Sequence, residues 1–292
     1  MILFAGLDEI CQRDVLLSEH TSFGLGGPAK WFCRAQSDEQ LRSVLRRCDE
    51  AGVFLRVLGG GSNVLVGDGG FDGVVVKLAA ARYGEIRFDG VDVWAGAAAP
   101  LSRLVRQSIR QGLAGLECVA GVPGTVAGAV KNNAGGRFGQ ISAAVKSVRV
   151  MDHRGRIFDR GAGELEFGYR CSNITEPVVL AVRFELSRDE PDQLLRRFRE
   201  VWLYKKNTQP TQQRSAGCVF KNPPGGSAAG LIEQVGLKGW GVDGAKVSER
   251  HANFIIAGAG ARAESVLKLI GIVRQRVYER FGVRLELEVE LW

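Results

Sequence analysis

Leu58-Gly59-Gly60-Gly61-Ser62-Asn63, running on into Val64-Leu65-Val66, is the stretch on which the reading of the fold turns. It follows an apolar run, Val53 to Leu58, that reads as a strand. A glycine cluster after a strand invites a dinucleotide-binding βαβ unit, whose fingerprint needs a third glycine opening a helix. Here the place of that third glycine is taken by Val64, and the chain continues as strand-like Val-Leu-Val. The segment therefore reads as a phosphate cradle without a helix behind it. Glycines let backbone N–H groups close on an anion, and Ser62 and Asn63 add side-chain donors. A tight turn between two strands explains the same residues equally well when they are taken alone. Gly24-Leu-Gly-Gly-Pro-Ala29 has G-x-G-x-x-A spacing, but it follows polar Ser18-Glu-His-Thr-Ser22 and lacks the strand the motif requires.

Outward from the cradle the pattern is mixed α and β. Asp38 opens a helix whose apolar residues Leu41, Val44, Leu45 and Cys48 keep helical spacing up to Gly52. Val74–Leu78 and Val91–Trp94 read as strands, and Pro100 starts a helix carrying Leu101, Leu104, Val105 and Ile109. Val145–Asp152 and Arg156–Phe158 flank a His-Arg-Gly hairpin, and Val178–Leu186 returns as a strand. Ser187-Arg-Asp-Glu-Pro191 breaks the pattern before a helix with Leu194, Leu195, Phe198, Val201 and Trp202 on one face. The last helix, about Arg262 to Phe281, leads into Val283–Leu291, where alternation places Glu286, Glu288 and Glu290 on one face of a strand.

Composition narrows the class. With 292 residues, 45% hydrophobic and 24% charged, the chain is long enough for two or three domains with proper cores. No apolar run reaches membrane length, and Met1–Glu9 lacks the basic start of a signal peptide, so a cytoplasmic protein without a membrane partner is expected. Six cysteines (Cys11, Cys33, Cys48, Cys118, Cys171, Cys218) show no CxxC pair and no histidine cluster, which argues against a zinc site and a disulfide framework; most read as small buried hydrophobes, and Cys218 is the one whose neighbours suggest chemistry. A net charge of +7 favours anionic partners, but the charge is spread, and Arg42–Arg47 and Arg196–Arg199 read as solvated helix faces. Nucleic acid is not the expected partner, because Trp31, Trp94, Trp202 and Trp240 are dispersed and form no stacking surface.

Three further segments carry chemistry. Gly121-Val-Pro-Gly-Thr-Val-Ala-Gly-Ala-Val130, extending to Asn133-Ala-Gly135, holds mostly small residues over a span too long for a turn, which lets a flat ligand lie against main chain. Tight helix–sheet packing is the alternative, but it leaves Asn132 and Asn133 without a role. Ser215-Ala-Gly-Cys-Val-Phe-Lys-Asn-Pro223 places a thiol, an ammonium and an amide close together. Tyr169-Arg-Cys-Ser172 places a guanidinium beside an aromatic ring.

In order, these segments, together with Ala229-Gly-Leu-Ile-Glu233 and Val247-Ser-Glu-Arg-His-Ala-Asn-Phe254, resemble the UDP-N-acetylenolpyruvoylglucosamine reductase (MurB) family. The likeness runs from Thr21-Ser-Phe-Gly to the last strand. It implies an α+β chain: an FAD-binding type-2 (PCMH/VAO-like) module of two subdomains, 1–80 and 81–190, and a C-terminal α+β substrate domain, 191–292, whose last strand returns toward the active site. It also implies tightly but non-covalently bound FAD, NADPH as co-substrate, and reduction of a UDP-sugar enolpyruvyl ether in peptidoglycan synthesis by a monomer. Tyr169-Arg170 runs through 171–177 straight into a strand, so the chain resembles the shorter, second type.

The resemblance carries residues with it. FAD is expected on Gly59, Gly60, Gly61, Ser62, Asn63, Gly121, Pro123, Gly124, Thr125, Gly128, Ala129, Asn133, Ala134 and Gly135. Arg170 is the expected cation for the substrate carboxylate, since a guanidinium stays charged and binds it with two hydrogen bonds. Cys218 stands where most relatives have serine and is the expected proton donor; a thiol titrates near ~8.5 and is a competent acid toward a carbanion. Glu288 matches the family carboxylate, with Glu286 and Glu290 as rivals. Tyr169, Lys205 (or Lys206), Lys221, Asn222 and Glu233 are candidate substrate contacts, whereas His251 and Asn253 are read as shaping the substrate domain. A competing reading is a sugar or hydroxy-acid oxidase of the same flavin architecture. Such enzymes often anchor flavin through histidine, and His20, His153 and His251 lie outside the cradle motifs.

Overall fold

The structure is a computed structural model that describes residues 3–292. Its backbone falls into two compact, discontinuous units: Met1–Asp14 with Lys30–Gly60 and Asp72–Tyr204, and Val15–Ala29 with Gly61–Phe71 and Lys205–Trp292. The three consecutive domains expected above differ from this division. Residues 15–29 and 61–71 group with the C-terminal part of the chain, and the helix Pro191–Thr208 carries the chain from one unit to the other.

The first unit is built on two sheets. One has the strand order Cys11–Leu16, Pro28–Ala35, Phe71–Leu78, Leu55–Val57, the last two running parallel with Val57 opposite Val76. The second is an antiparallel five-stranded sheet ordered Ile157–Gly161, Val145–Met151, Val178–Glu185, Asp92–Gly96, Ile86–Asp89. The expected hairpin is present, with Met151 opposite Ile157. The helix Asp38–Ala51 is capped by Ser37, whose hydroxyl accepts the Gln40 N–H, and it buries Leu41, Val44, Leu45 and Cys48 as its spacing predicts. The helix Leu101–Arg110 likewise buries Leu101, Leu104 and Val105.

Cys11 and Cys33 form a disulfide between neighbouring strands of the first sheet, correcting the expectation that the cysteines are unbonded hydrophobes. Cys48 is free and buried, whereas Cys171 is exposed. Within the arginine runs Arg46, Arg196 and Arg199 are exposed, as expected of solvated helix faces, but the other arginines are tied to neighbouring segments. Arg47 donates to the Leu3 and Ala5 carbonyls, Arg42 to that of Gly155, and Arg197 bridges Glu117 and Asp189. On the helix Pro191–Thr208, Leu194 and Val201 are buried, but Trp202 is exposed, off the expected apolar face.

The second unit packs the helix Ala263–Phe281 over a three-stranded sheet, Gly241–Val242, Ala245–Val247, Ile255–Ala257. Its core gathers Phe220, Ile232, Val247, Ile255, Val266, Leu269 and Val273. Only Glu290–Leu291 of the expected strand 283–291 is ladder-paired, in parallel with Val64–Leu65; an isolated bridge joins Leu287 to Phe220. Among the described residues no helix is long and apolar enough to cross a membrane.

Candidate active site

In the first unit the two glycine-rich motifs meet main chain to main chain. A Cβ on Gly59 would lie 2.7 Å from Thr125 Oγ1, and one on Gly60 would lie 2.7 Å from Gly124 Cα, so neither position admits a side chain. The partner loop is held by its own bonds: Leu101 N–H donates to Gly124 O, Val126 N–H to Ala99 O and Ala127 N–H to Ala97 O. Beside it lies a cavity of about 830 Å³, within the ~300–1,000 Å³ usual for cofactor pockets. Leu58, Gly59, Thr125 and Gly128 line it, as do apolar Val57, Leu78, Ala97, Ala98 and Val179. Arg34, Gln36, Lys77, Arg82 and Lys131 supply its polar wall, and none of these was singled out by sequence. The one available signal was Lys77, a charge closing the apolar run Val74-Val75-Val76.

Asn133 is fully buried and sits at φ 42°, a left-handed conformation that asparagine tolerates better than most residues. Its Nδ2 donates to Gln140 Oε1 and to Gly168 O, both at 2.8 Å, while its Oδ1 accepts nothing from the protein. A buried amide oxygen without a donor is costly, so this acceptor is set for a donor outside the polypeptide. Ala134 and Gly135 follow at once, with Ala134 N–H bonded to Ala129 O.

The Asn133 bond to Gly168 also positions Arg170. Phe167–Gly168 and Cys171–Ser172 pair as a hairpin with Tyr169 and Arg170 at its tip, and Ser172 Oγ donates to Lys131 O at 2.7 Å. Arg170 adopts φ 58°, a conformation costing a non-glycine residue roughly 1–2 kcal/mol, and its guanidinium lies 5.4 Å from the Tyr169 ring centroid. Strain of this kind at a tip held from both sides aims a side chain at a fixed place. Tyr169 is exposed.

In the second unit the sequence motifs converge differently. Gly61, at φ 62°, would put a Cβ 2.1 Å from His20 O, and its carbonyl accepts the Ser22 N–H. Asn63 Nδ2 donates to Glu288 O at 3.0 Å, and Asn63 O accepts the Glu290 N–H. This amide, expected to face a cofactor, is therefore used on the C-terminal segment. Cys218 forms an isolated bridge to Phe254, and one residue on, Val219 O accepts the Glu288 N–H at 2.8 Å. The thiol and the carboxylate thus belong to directly bonded neighbouring segments.

The three C-terminal glutamates have distinct surroundings. Glu286 is exposed and lies 3.6 Å from Lys221 Nζ, Glu290 is exposed beside Trp292, and Glu288 alone is half-buried. Asn222 Oδ1 accepts the Ala228 N–H at the start of the helix Ala228–Gln234. Glu233 is exposed and paired with Lys238. Lys205 and Lys206 sit in the last turn of Pro191–Thr208, where the Lys206 carbonyl accepts from Arg250. Asn253 is buried and clamps Phe220 from both ends: its Oδ1 accepts the Phe220 N–H, and its Nδ2 donates to Phe220 O. His251 is held below the usual histidine range, first by burial and then by Lys238.

A cradle closed to side chains, a cofactor-sized cavity and a buried acceptor awaiting a donor together fit a flavin dinucleotide, and they define a flavoprotein with an FAD-binding domain. Residues 29–161 match the family described as "FAD binding domain" and residues 209–292 the "UDP-N-acetylenolpyruvoylglucosamine reductase, C-terminal domain". The chain belongs to the UDP-N-acetylenolpyruvoylglucosamine reductase family. It is 39% identical to such a reductase of Clostridium botulinum over 97% of this chain and 94% of that one. It is 41% identical to one of Heliobacterium modesticaldum over 94% and 88% of the two chains. The crystal structure of the reductase from Thermus caldophilus aligns with a TM-score of 0.83 at 41% identity, covering 96% of this chain and 98% of that one.

Proposed function

We propose that this chain reduces the enolpyruvyl ether of UDP-N-acetylglucosamine to UDP-N-acetylmuramate, with NADPH as the source of reducing equivalents, as a step toward peptidoglycan. Family membership along the whole chain supports the reaction. The hydrogen bond from the Glu288 N–H to the carbonyl of Val219, next to Cys218, is the observation that carries the assignment of the acid.

FAD, when bound, supplies a hydride donor that NADPH recharges. The residues must handle the charge this chemistry creates. Hydride addition at the vinyl carbon C3 drives electron density into the substrate carboxylate, and C2 then needs a proton. Arg170, at its hairpin tip, holds the carboxylate and balances that charge with a forked pair of hydrogen bonds. Cys218 donates the proton to C2, and Glu288 provides the nearby carboxylate that orients the reacting group. Lys221, Asn222, Lys205 and Tyr169 are the candidate contacts for the sugar nucleotide. Exposed Glu233, tied to Lys238, is the weakest of these assignments.

The test is Cys218→Ala. NADPH should still bleach the visible absorption of the bound flavin, while UDP-N-acetylmuramate formation falls by about 10²–10⁴, the usual worth of a general acid. Cys218→Ser should retain substantial turnover. Normal product formation by the alanine variant would remove Cys218 from the mechanism.

A further inference from the structure

The cavity of the first unit is lined by four cationic side chains, Arg34, Lys77, Arg82 and Lys131, and by no carboxylate. Arg82 is committed to Asp38 at 3.3 Å. Lys77 and Arg34 differ: among the described residues neither has a carboxylate partner. They lie on neighbouring strands, Phe71–Leu78 and Pro28–Ala35. On the other flank of Phe71–Leu78 runs the parallel strand Leu55–Val57, where Leu58 N–H donates to Val76 O. Lys77 follows Val76 directly and Gly59 follows Leu58, so the strand of Lys77 runs between the strand of Arg34 and the one that leads into the glycine cradle, and Lys77, Arg34 and Gly59 line the same cavity.

Such a placement is unfavourable for the protein alone. Burial and the repulsion of Arg34 both hold the Lys77 ammonium below the usual lysine range. A half-buried cation with a cation for a neighbour is the arrangement that an anionic ligand relieves, and a diphosphate brings two negative charges. The cradle beside it offers backbone N–H groups but no formal charge.

We propose that Lys77, backed by Arg34, is the charged partner of the diphosphate of FAD and so selects the dinucleotide over a flavin lacking phosphate. The pair acts on the cofactor, whichever substrate is reduced.

The experiment titrates apoprotein with FAD and with riboflavin, following flavin fluorescence, and records the thermal midpoint of the apoprotein. Lys77→Met should weaken FAD binding roughly 10- to 100-fold, the scale of one charge-assisted hydrogen bond, and leave riboflavin binding unchanged. The same variant should melt no lower than the wild-type apoprotein, because it removes a half-buried charge that has a cation for a neighbour. Lys77→Arg should stay within about threefold of wild type, and Arg34→Gln, at an exposed position, should weaken FAD in the same sense. Unchanged FAD affinity in both Lys77→Met and Arg34→Gln would overturn the proposal, as would an equal loss for riboflavin. A rise in the NADPH KM with FAD affinity intact would assign the phosphate to the nicotinamide dinucleotide and overturn it too. The titrations contain no sugar nucleotide, so their failure is separate from failure of the reaction proposed above.

Discussion

At the scale of single residues, the second unit turns on Asn253. Its amide satisfies both backbone groups of Phe220, two residues along the chain from Cys218. Asn253→Ala leaves a buried N–H and a buried C=O unpaired, an expected cost of about 2–4 kcal/mol, read as a lower denaturant midpoint. His251, two residues earlier, sets a pH dependence. Its folded-state value lies below the ordinary ~6.5, so the unfolded chain takes up the proton first as pH falls. This contribution is intact above ~6.5 and is lost as pH drops toward the lower folded value. Wild type should therefore lose more stability than His251→Gln between pH 7.5 and 5.5; equal losses in urea titrations would remove His251 from the balance. Both residues stand in Val247–Phe254, a motif visible in sequence and read there as shaping the domain, but which backbone groups Asn253 clamps was not legible.

At the scale of elements, local periodicity was sufficient where an element is stabilised along its own length. Asp38–Ala51 carries its cap, its buried face and its closing Gly52 in consecutive sequence. The stretch 283–291 shows the opposite. Its alternation is strict, yet only Glu290–Leu291 finds a ladder partner, and three glutamates assigned to one face acquire three environments. A strand needs a neighbour, and the neighbour here is the short Val64–Leu65, more than two hundred residues earlier. The Cys11–Cys33 bond is a similar case, joining two residues 22 apart in sequence on neighbouring strands. Oxidised protein, denatured without reductant, should titrate four thiols, those of Cys48, Cys118, Cys171 and Cys218. Reduction, or the double change Cys11→Ser with Cys33→Ser, should cost about 3 kcal/mol by the loop-entropy estimate.

At the scale of the whole molecule, cofactor binding and stability are linked. A ligand bound by the folded state alone adds about 2.7 kcal/mol at a hundred times its dissociation constant. FAD at that excess should raise the thermal midpoint of the apoprotein, and riboflavin at the same multiple of its own constant should raise it equally. A midpoint insensitive to FAD would contradict binding by a folded cavity.

The order of motifs, the glycine cluster and the long helices were determined by the sequence itself, because each depends on residues close together along the chain, and the flavin assignment came with the family resemblance that the motif order carries. The tertiary structure alone decided the two discontinuous units, the Cys11–Cys33 pair and the environment that separates Glu288 from Glu286 and Glu290. It alone also decided the gathering of Arg34 and Lys77 beside the cradle. In each of these the outcome depends on which remote strand becomes a neighbour, and hydrophobic periodicity is silent on that choice.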